Sequence, residues 1–337
     1  MASMKPRGNA KDFWNTIKAV SIAEIVRQAQ RPICLALVGD REQRGAIRIA
    51  LYSHPPGKGS VGEALALPIE SFIEEFDTTE AESGFPQNPN LFDVVIDVGG
   101  GRTDAPPGAR IYSVNEIGGW DATVLRILED RPDIALALAR NFPVFRPKVA
   151  EDIISVTAIA NAQFALVTGI TAAFPLLSFL LPVNGLSDML MLTKNQVMMT
   201  LKLAAVYGLE LDYKSRLKEV APILVNAFGW RAVARELVGA IPVIGMVTKA
   251  GISYAGTVTV GKTAQKFYES GEKISGEQIK RWYSEALQSS KEKIRALAKT
   301  TVRRRRTGSV PALPSGEETL MPSNDYDIVD TEFAKGD

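Results

Sequence analysis

The sequence predicts two parts, a small α/β layer and then an all-α region, and three observations carry that prediction. Between Ile33 and about Pro143, short apolar runs rich in β-branched residues alternate with amphipathic stretches, as in a mainly parallel sheet with crossover helices. From Phe145 to about Gly271 strand signals stop and only helical patterns remain. Within that stretch, 35 consecutive residues, Ile153–Ser187, hold no Asp, Glu, Lys, Arg or His, in a chain that is 23% charged. Those residues face a protein core or lipid.

The elements follow in order. Residues 10–31 read as a helical lead-in, with Ser21 and Glu24 spaced as a capping box, and Pro32 ends the helix. ICLALV (33–38), DVVIDV (93–98) and ARIYSV (109–114) are predicted strands; the first two run into Gly39 and Gly99. A helix follows Gly39, another occupies WDATVLRILED (120–130), and a third occupies PDIALALARNF with Pro132 in its first turn. In the helical part, Gly208, Gly229 and Gly271 stand where left-handed residues end helices. Residues 275–299 carry the cleanest 3.6-residue period, on Ile279, Trp282, Tyr283, Ala286, Leu287, Ile294, Leu297 and Ala298, behind a Ser275/Gln278 capping box. The predicted divisions are 1–31 lead-in, 32–144 α/β domain, 145–300 apolar helical domain, and 301–337 disordered tail. The tail opens at the Arg303–Arg306 run and is too polar to bury a core.

Composition narrows the chemistry. The 337 residues carry a net charge of +1, so no global charge points to nucleic acid. The single cysteine, Cys34, rules out an internal disulfide or a multi-cysteine metal site. The single histidine, His54, lies in the loop-like SHPPGKGS, which removes the basis for a serine–histidine–acid triad or a multi-histidine metal site. MASMKPRGNAKDFW has no apolar core and does not read as a secretory signal.

A strand, a glycine and a helix in succession invite comparison with a phosphate loop, G-x-x-x-x-G-K-[ST], whose backbone N–H groups, lysine and hydroxyl hold phosphate and magnesium. The stretch here is GDREQRGA. Gly39 is in place, but Arg44 replaces the second glycine, Gly45 the lysine and Ala46 the hydroxyl residue. GKGS (57–60) follows His-Pro-Pro instead of a strand and reads as a flexible loop. Asp97 opens a D-x-x-G at a strand end, and Asn115 stands in the position of an N-K-x-D base-reading motif from which Lys and Asp are missing. Gly39, Arg44, Asp97 and Asn115 therefore form the candidate nucleotide site. It is read as eroded, against two alternatives: an unrelated α/β domain, or a noncanonical site that uses arginines.

NAQFALVTGITAAFPLLSFLLPVNGLSDMLMLTKNQVMMTLKLAAVYG, followed by WRAVARELVGAIPVIGMVTKAGISYAGTVTVGKTAQKFYESG, resembles the bacterial family called domain of unknown function 697 over roughly residues 148–290. The opening FWNTIKAVSIAEIVRQAQRPICLALVG looks like the lead-in to the Era-like GTPase domain that often precedes that module. The resemblance implies a P-loop-GTPase-like domain feeding a membrane-associated helical module. The departures at Arg44, Gly45, Ala46, Glu116 and Gly118 put GTP hydrolysis in doubt. The expectation is thus a non-catalytic GTPase-like scaffold or regulator at the cytoplasmic membrane, with a protein partner, no nucleic acid, no metal and no cofactor. The alternatives are a GTP-binding switch with a noncanonical loop, or a soluble helical interaction protein.

Membrane insertion is marginal by magnitude. Phe164–Val183 has eleven Leu, Ile, Val and Phe side chains, worth about −3 to −7 kcal/mol on an insertion scale before Gly169, Pro175, Pro182, Ser178 and the threonines subtract. The second apolar stretch, Leu237–Val260, carries Lys249 near its middle, at a cost of about 2.5–3.5 kcal/mol.

Overall fold

A computed structural model of the chain describes residues 22–53, 72–78, 86–99, 110–114, 119–173, 185–209, 246–272 and 274–306. The described part is a four-stranded parallel sheet with helices, joined to a set of long helices. Helix α1 (22–29) precedes strand β1, Cys34–Gly39, which leads into α2, Arg41–Tyr52. Strands β2 (Phe72–Asp77), β3 (Val94–Asp97) and β4 (Ile111–Ser113) follow, then helices α3 (Gly119–Asp130) and α4 (Ala135–Asn141). The helical part consists of α5 (Arg146–Ala173), α6 (Gly185–Val206), α7 (Met246–Ser270) and α8 (Gly276–Arg306).

The sheet order is β2-β1-β3-β4, parallel throughout, with Gly39 level with Asp77, Val38 with Asp97, and Asp97 with Ser113. Strands β1 and β3 are buried along their length, which is why they read as continuous apolar runs. The chain leaves β1 for β2 on one side and returns to β3 on the other. The switch point of the sheet therefore lies between the carboxyl ends of β1 and β3, the usual ligand crevice of such sheets.

The predicted strands at 33–38, 93–98 and 109–114 all form, with ends shifted by one or two residues. Strand β2 escaped prediction because Glu74 and Glu75 interrupt its apolar pattern, as suits the edge of a sheet. The tail boundary needs correction: α8 runs to Arg306, so 301–306 continue the helix. A helix tolerates those residues because Lys and Arg suit its negative C-terminal end. Residues 307–337, like 10–21 with Ser21, Gly229, His54 and residues 174–183 of the apolar stretch, lie outside the described residues.

The long helices pack by close approach. An added Cβ at Gly261 would come within 2.6 Å of Ile154 Cγ1, so α5 and α7 nearly touch there. At the centre of the bundle Asn161, fully buried on α5, donates to Thr257 Oγ1 (2.9 Å) and accepts from Asn195 Nδ2 (2.7 Å). Ser253 donates to the Asn161 carbonyl at 3.1 Å. Helices α5, α6 and α7 are thus registered by one neutral polar layer. Tyr283, Ala286 and Ile294 are buried on α8 as its period predicts, and Ser290 joins them against Gly251. Gly208 (φ 75°) and Gly271 (φ 68°) follow α6 and α7 in the left-handed region, as expected of helix stops.

Candidate functional site

Two of the residues singled out from sequence, Gly39 and Asp97, meet at the carboxyl ends of β1 and β3, but a helix begins where a phosphate-holding loop would run. Helix α2 starts at Arg41, one residue after the strand ends. Asp40, Arg41, Glu42 and Gln43, which would form the loop of a phosphate-binding motif, are instead the cap and first turn of the helix. Gly45 consequently sits a full turn inside α2, where an added Cβ would meet nothing within 4 Å.

The helix N-terminus is already occupied by the chain's own groups. Asp40 caps it: Oδ1 accepts from the Gln43 N–H at 2.8 Å, and Gln43 Oε1 accepts from the Asp40 N–H at 3.3 Å. This capping box places a carboxylate on the positive end of the helix, where a phosphate would otherwise be drawn. The half-buried Gln43 side chain also reaches to the switch point. An added Cβ on Gly39 (φ 157°) would lie 3.2 Å from Gln43 Oε1 and 3.3 Å from Val98 Cβ. A side chain at 39 would have to displace Gln43.

Arg44 turns away from the switch point, toward the edge strand. Its guanidinium, 9% exposed, donates from Nη1 to the Gly39 carbonyl (2.5 Å), from Nη2 to Asp77 Oδ2 (3.1 Å) and from Nε to Glu75 Oε2 (3.3 Å). The Gly39 carbonyl takes a second bond from the Thr78 N–H at 3.2 Å. Arg48 adds a contact to Glu75 Oε1 at 3.3 Å. A cation so buried requires paired carboxylates, and β2 supplies them at alternate positions on one face. Arg44 is thereby committed to joining α2 to β2.

Asp97 is buried at the end of β3, where Oδ1 accepts from the Gly99 N–H at 3.1 Å and the carbonyl accepts from the Val114 N–H at 3.0 Å. This is an Asp-terminated turn. Gly39 and Asp97 are thus brought together, Arg44 is directed elsewhere, and Asn115 lies outside the described residues. Sequence reasoning missed Gln43, Glu75 and Asp77. Gln43 was legible three positions after Asp40 as the partner in a capping box.

A second charged cluster closes the opposite end of the sheet. Arg31 contacts Asp93 Oδ1 (2.8 Å) and Asp133 Oδ2 (3.3 Å), while Arg131 holds Asp133 with two bonds of 3.0 Å and also donates to the Asp93 carbonyl. The hydrogen bond between them raises the Arg131 pKa and holds the Asp133 carboxyl below its usual range. Asp93 Oδ2 accepts from the Cys34 N–H at 3.0 Å, and burial pushes the Cys34 thiol up. These groups tie α1, β1, β3 and the start of α4 together. Beside them opens a polar cleft of about 380 Å³ lined by Asn90, Arg110 and Arg131. A smaller cavity of about 80 Å³, between α1, α4, α5 and α6, is walled by Leu136, Val149, Ile153 and Val156, with Lys202 at its edge. Burial lowers the Lys202 pKa to about 8. Among the described residues no group of three His, Cys, Asp or Glu side chains is placed to hold a metal.

No family model, curated protein or solved structure matches the chain.

Proposed function

We propose that the chain is a non-catalytic, GTPase-like scaffold or regulator that acts through contacts with a protein partner and attaches to the cytoplasmic face of a membrane by its helical module. The single observation that carries the first half is the junction at 39–44. Its helix N-terminus is capped by Asp40, Gln43 reaches to its switch point, and its one buried cation, Arg44, is spent on Glu75 and Asp77. Phosphoryl transfer needs a positioned cation and metal ligand around the phosphates, and these residues supply neither. The same bonds disfavour a GTP switch that uses Arg44 in place of a P-loop lysine.

The second half rests on the charge-free stretch Ile153–Ser187 and on the resemblance to the domain 697 module. Among the described residues, one helical segment, Pro143–Leu166, is long and apolar enough to cross a membrane, with mean hydropathy 1.2 and 39% of it buried in the protein. Its polar layer through Asn161 also suits a soluble bundle that packs on a partner, and that is the second reading.

Two experiments test this. Purified full-length protein should hydrolyse neither GTP nor ATP above background; magnesium-dependent turnover abolished by Gly39→Asp would overturn the scaffold reading. Cell fractionation should leave the chain with membranes after carbonate and high-salt washes, with release by detergent. Recovery as a monodisperse soluble protein without detergent would transfer the reading to the soluble bundle.

A further inference from the structure

Helix α6 is enclosed toward its end. From Val197 to Leu209 every residue but one is buried: α5 and α7 pack on the helix, and Arg140 of α4 donates to the carbonyls of Ala205 and Leu209. The exception is Lys202, which is half-buried. A helix apolar all round belongs in a core, so a lysine there has no open solvent face. Its side chain lines the cavity of about 80 Å³ between α1, α4, α5 and α6.

The cavity suits a small and mostly apolar molecule. Leu136, Val149, Ile153 and Val156 wall it, and the exposed Pro132 and Asp133 mark its mouth. It has about half the volume of an engineered cavity that holds benzene, which is room for a chain of roughly three to five carbons. The charged groups that line it with Lys202 are Asp133 and Asp152, which carry ion pairs with Arg131 and Lys148. Carboxylates at this position repel an anionic ligand and favour a neutral one whose bound form is cationic. Burial lowers the Lys202 pKa to about 8. At pH 7.5 it therefore presents on the order of 100-fold more neutral amine than an ordinary surface lysine. A lysine desolvated in an apolar pocket is a nucleophile toward carbonyl compounds.

We infer that Lys202 and this cavity form a capture site for short aliphatic aldehydes, which the ε-amine holds as a Schiff base. The amine lone pair forms the C–N bond while the carbonyl π pair moves to oxygen. Both amine protons then leave with that oxygen as water, and no electrons are gained or lost. The alkyl chain lies against Leu136, Val149, Ile153 and Val156. A proton taken from solvent makes the imine cationic, near Asp133 and Asp152. The site stands apart from the β1–α2 junction and does not depend on how the chain meets a membrane or a partner.

The test is treatment of the full chain with butanal at pH 7.5 and cyanoborohydride, which reduces each imine to a stable alkylamine, followed by peptide mapping. Lys202 should be alkylated at least about tenfold faster than the exposed Lys280 and Lys291, a part of its roughly 100-fold advantage in neutral amine. The native protein should lose that preference with 2-naphthaldehyde, which is too large for the cavity. Val156→Phe, which keeps the amine and fills the space, should lose it with butanal as well, while Lys202→Met should leave the exposed lysines labelled as before. Equal rates at Lys202 and the exposed lysines would overturn the inference. So would a preference for Lys202 that 2-naphthaldehyde shares with butanal, because the amine would then react without the cavity.

Discussion

The two halves of this chain solve the problem of buried polar groups in opposite ways. The α/β half closes both ends of its sheet with charge: Arg44 with Glu75 and Asp77 at one end, Arg31 and Arg131 with Asp93 and Asp133 at the other. The helical half, where α5, α6 and α7 meet, uses neutral Asn, Ser and Thr bonds and close approach at glycine. Charged closure engages Asp40, Gln43 and Arg44 with the chain's own groups, so the α/β half is a small parallel sheet that spends its polar groups on itself. Neutral closure makes few demands on the surrounding solvent, which suits a bundle placed against water, protein or lipid.

The contrast predicts different sensitivities. The largest effect should come from Arg44→Met, which leaves Glu75 and Asp77 without their buried cation. Loss of one partner of a buried pair costs about 3–5 kcal/mol; the partial exposure of both carboxylates lowers this to about 2–4. Chemical denaturation of the variant should show it, and an Arg44→Lys change should recover only part, since one ammonium cannot serve three acceptors in the plane of a guanidinium.

Gly261→Ala is the matching break in the helical half. Its new methyl group would lie 2.6 Å from Ile154 Cγ1, and overpacking of this kind costs up to about 3 kcal/mol. Combination with Ile154→Val should return part of the loss. A purely additive double variant, read by denaturation, would show that the helices separate without strain.

Lys202 sharpens the comparison because it brings a charge into the neutral half. Its folded pKa of about 8 lies below the ordinary value of 10.5, so the unfolded chain binds more protons between those two values. Stability should rise as pH increases across about 8 to 10.5. Lys202→Met should flatten that rise and stabilise the protein near pH 7 by up to about 2 kcal/mol. Thermal scans across the window provide the check.

The smallest effect is that of Asp40→Ala, which removes a helix cap at about 1 kcal/mol. Nucleotide affinity should not appear in exchange, because Gln43 and the helical first turn still occupy the phosphate position.

Much of the framework was legible and much of the site was not, for physical reasons. Strands β1 and β3 announce themselves because burial along their length demands apolar runs, and the edge strand β4 is legible through its Ile111-Tyr112 pair. The period of α8 is visible for the same reason, although Ser290 hides among its buried positions by being polar. Strand β2 was not legible, since Glu74 and Glu75 make sense only once Arg44 is known to need carboxylates. GDREQRGA was aligned as a loop because the strand and Gly39 invite it. The Asp40–Gln43 spacing, read as a capping box, would have started the helix at Arg41 and shown that no loop remains.

The central claim is that the β1–α2 junction satisfies itself and leaves nothing for a phosphate. Calorimetric titration of the full chain with GTP, GDP and ATP, each with magnesium, tests it most directly. The self-satisfied junction predicts no saturable heat with any of the three, for the native protein and for Asp40→Ala alike. Saturable, magnesium-dependent binding that Gly39→Asp abolishes would contradict it.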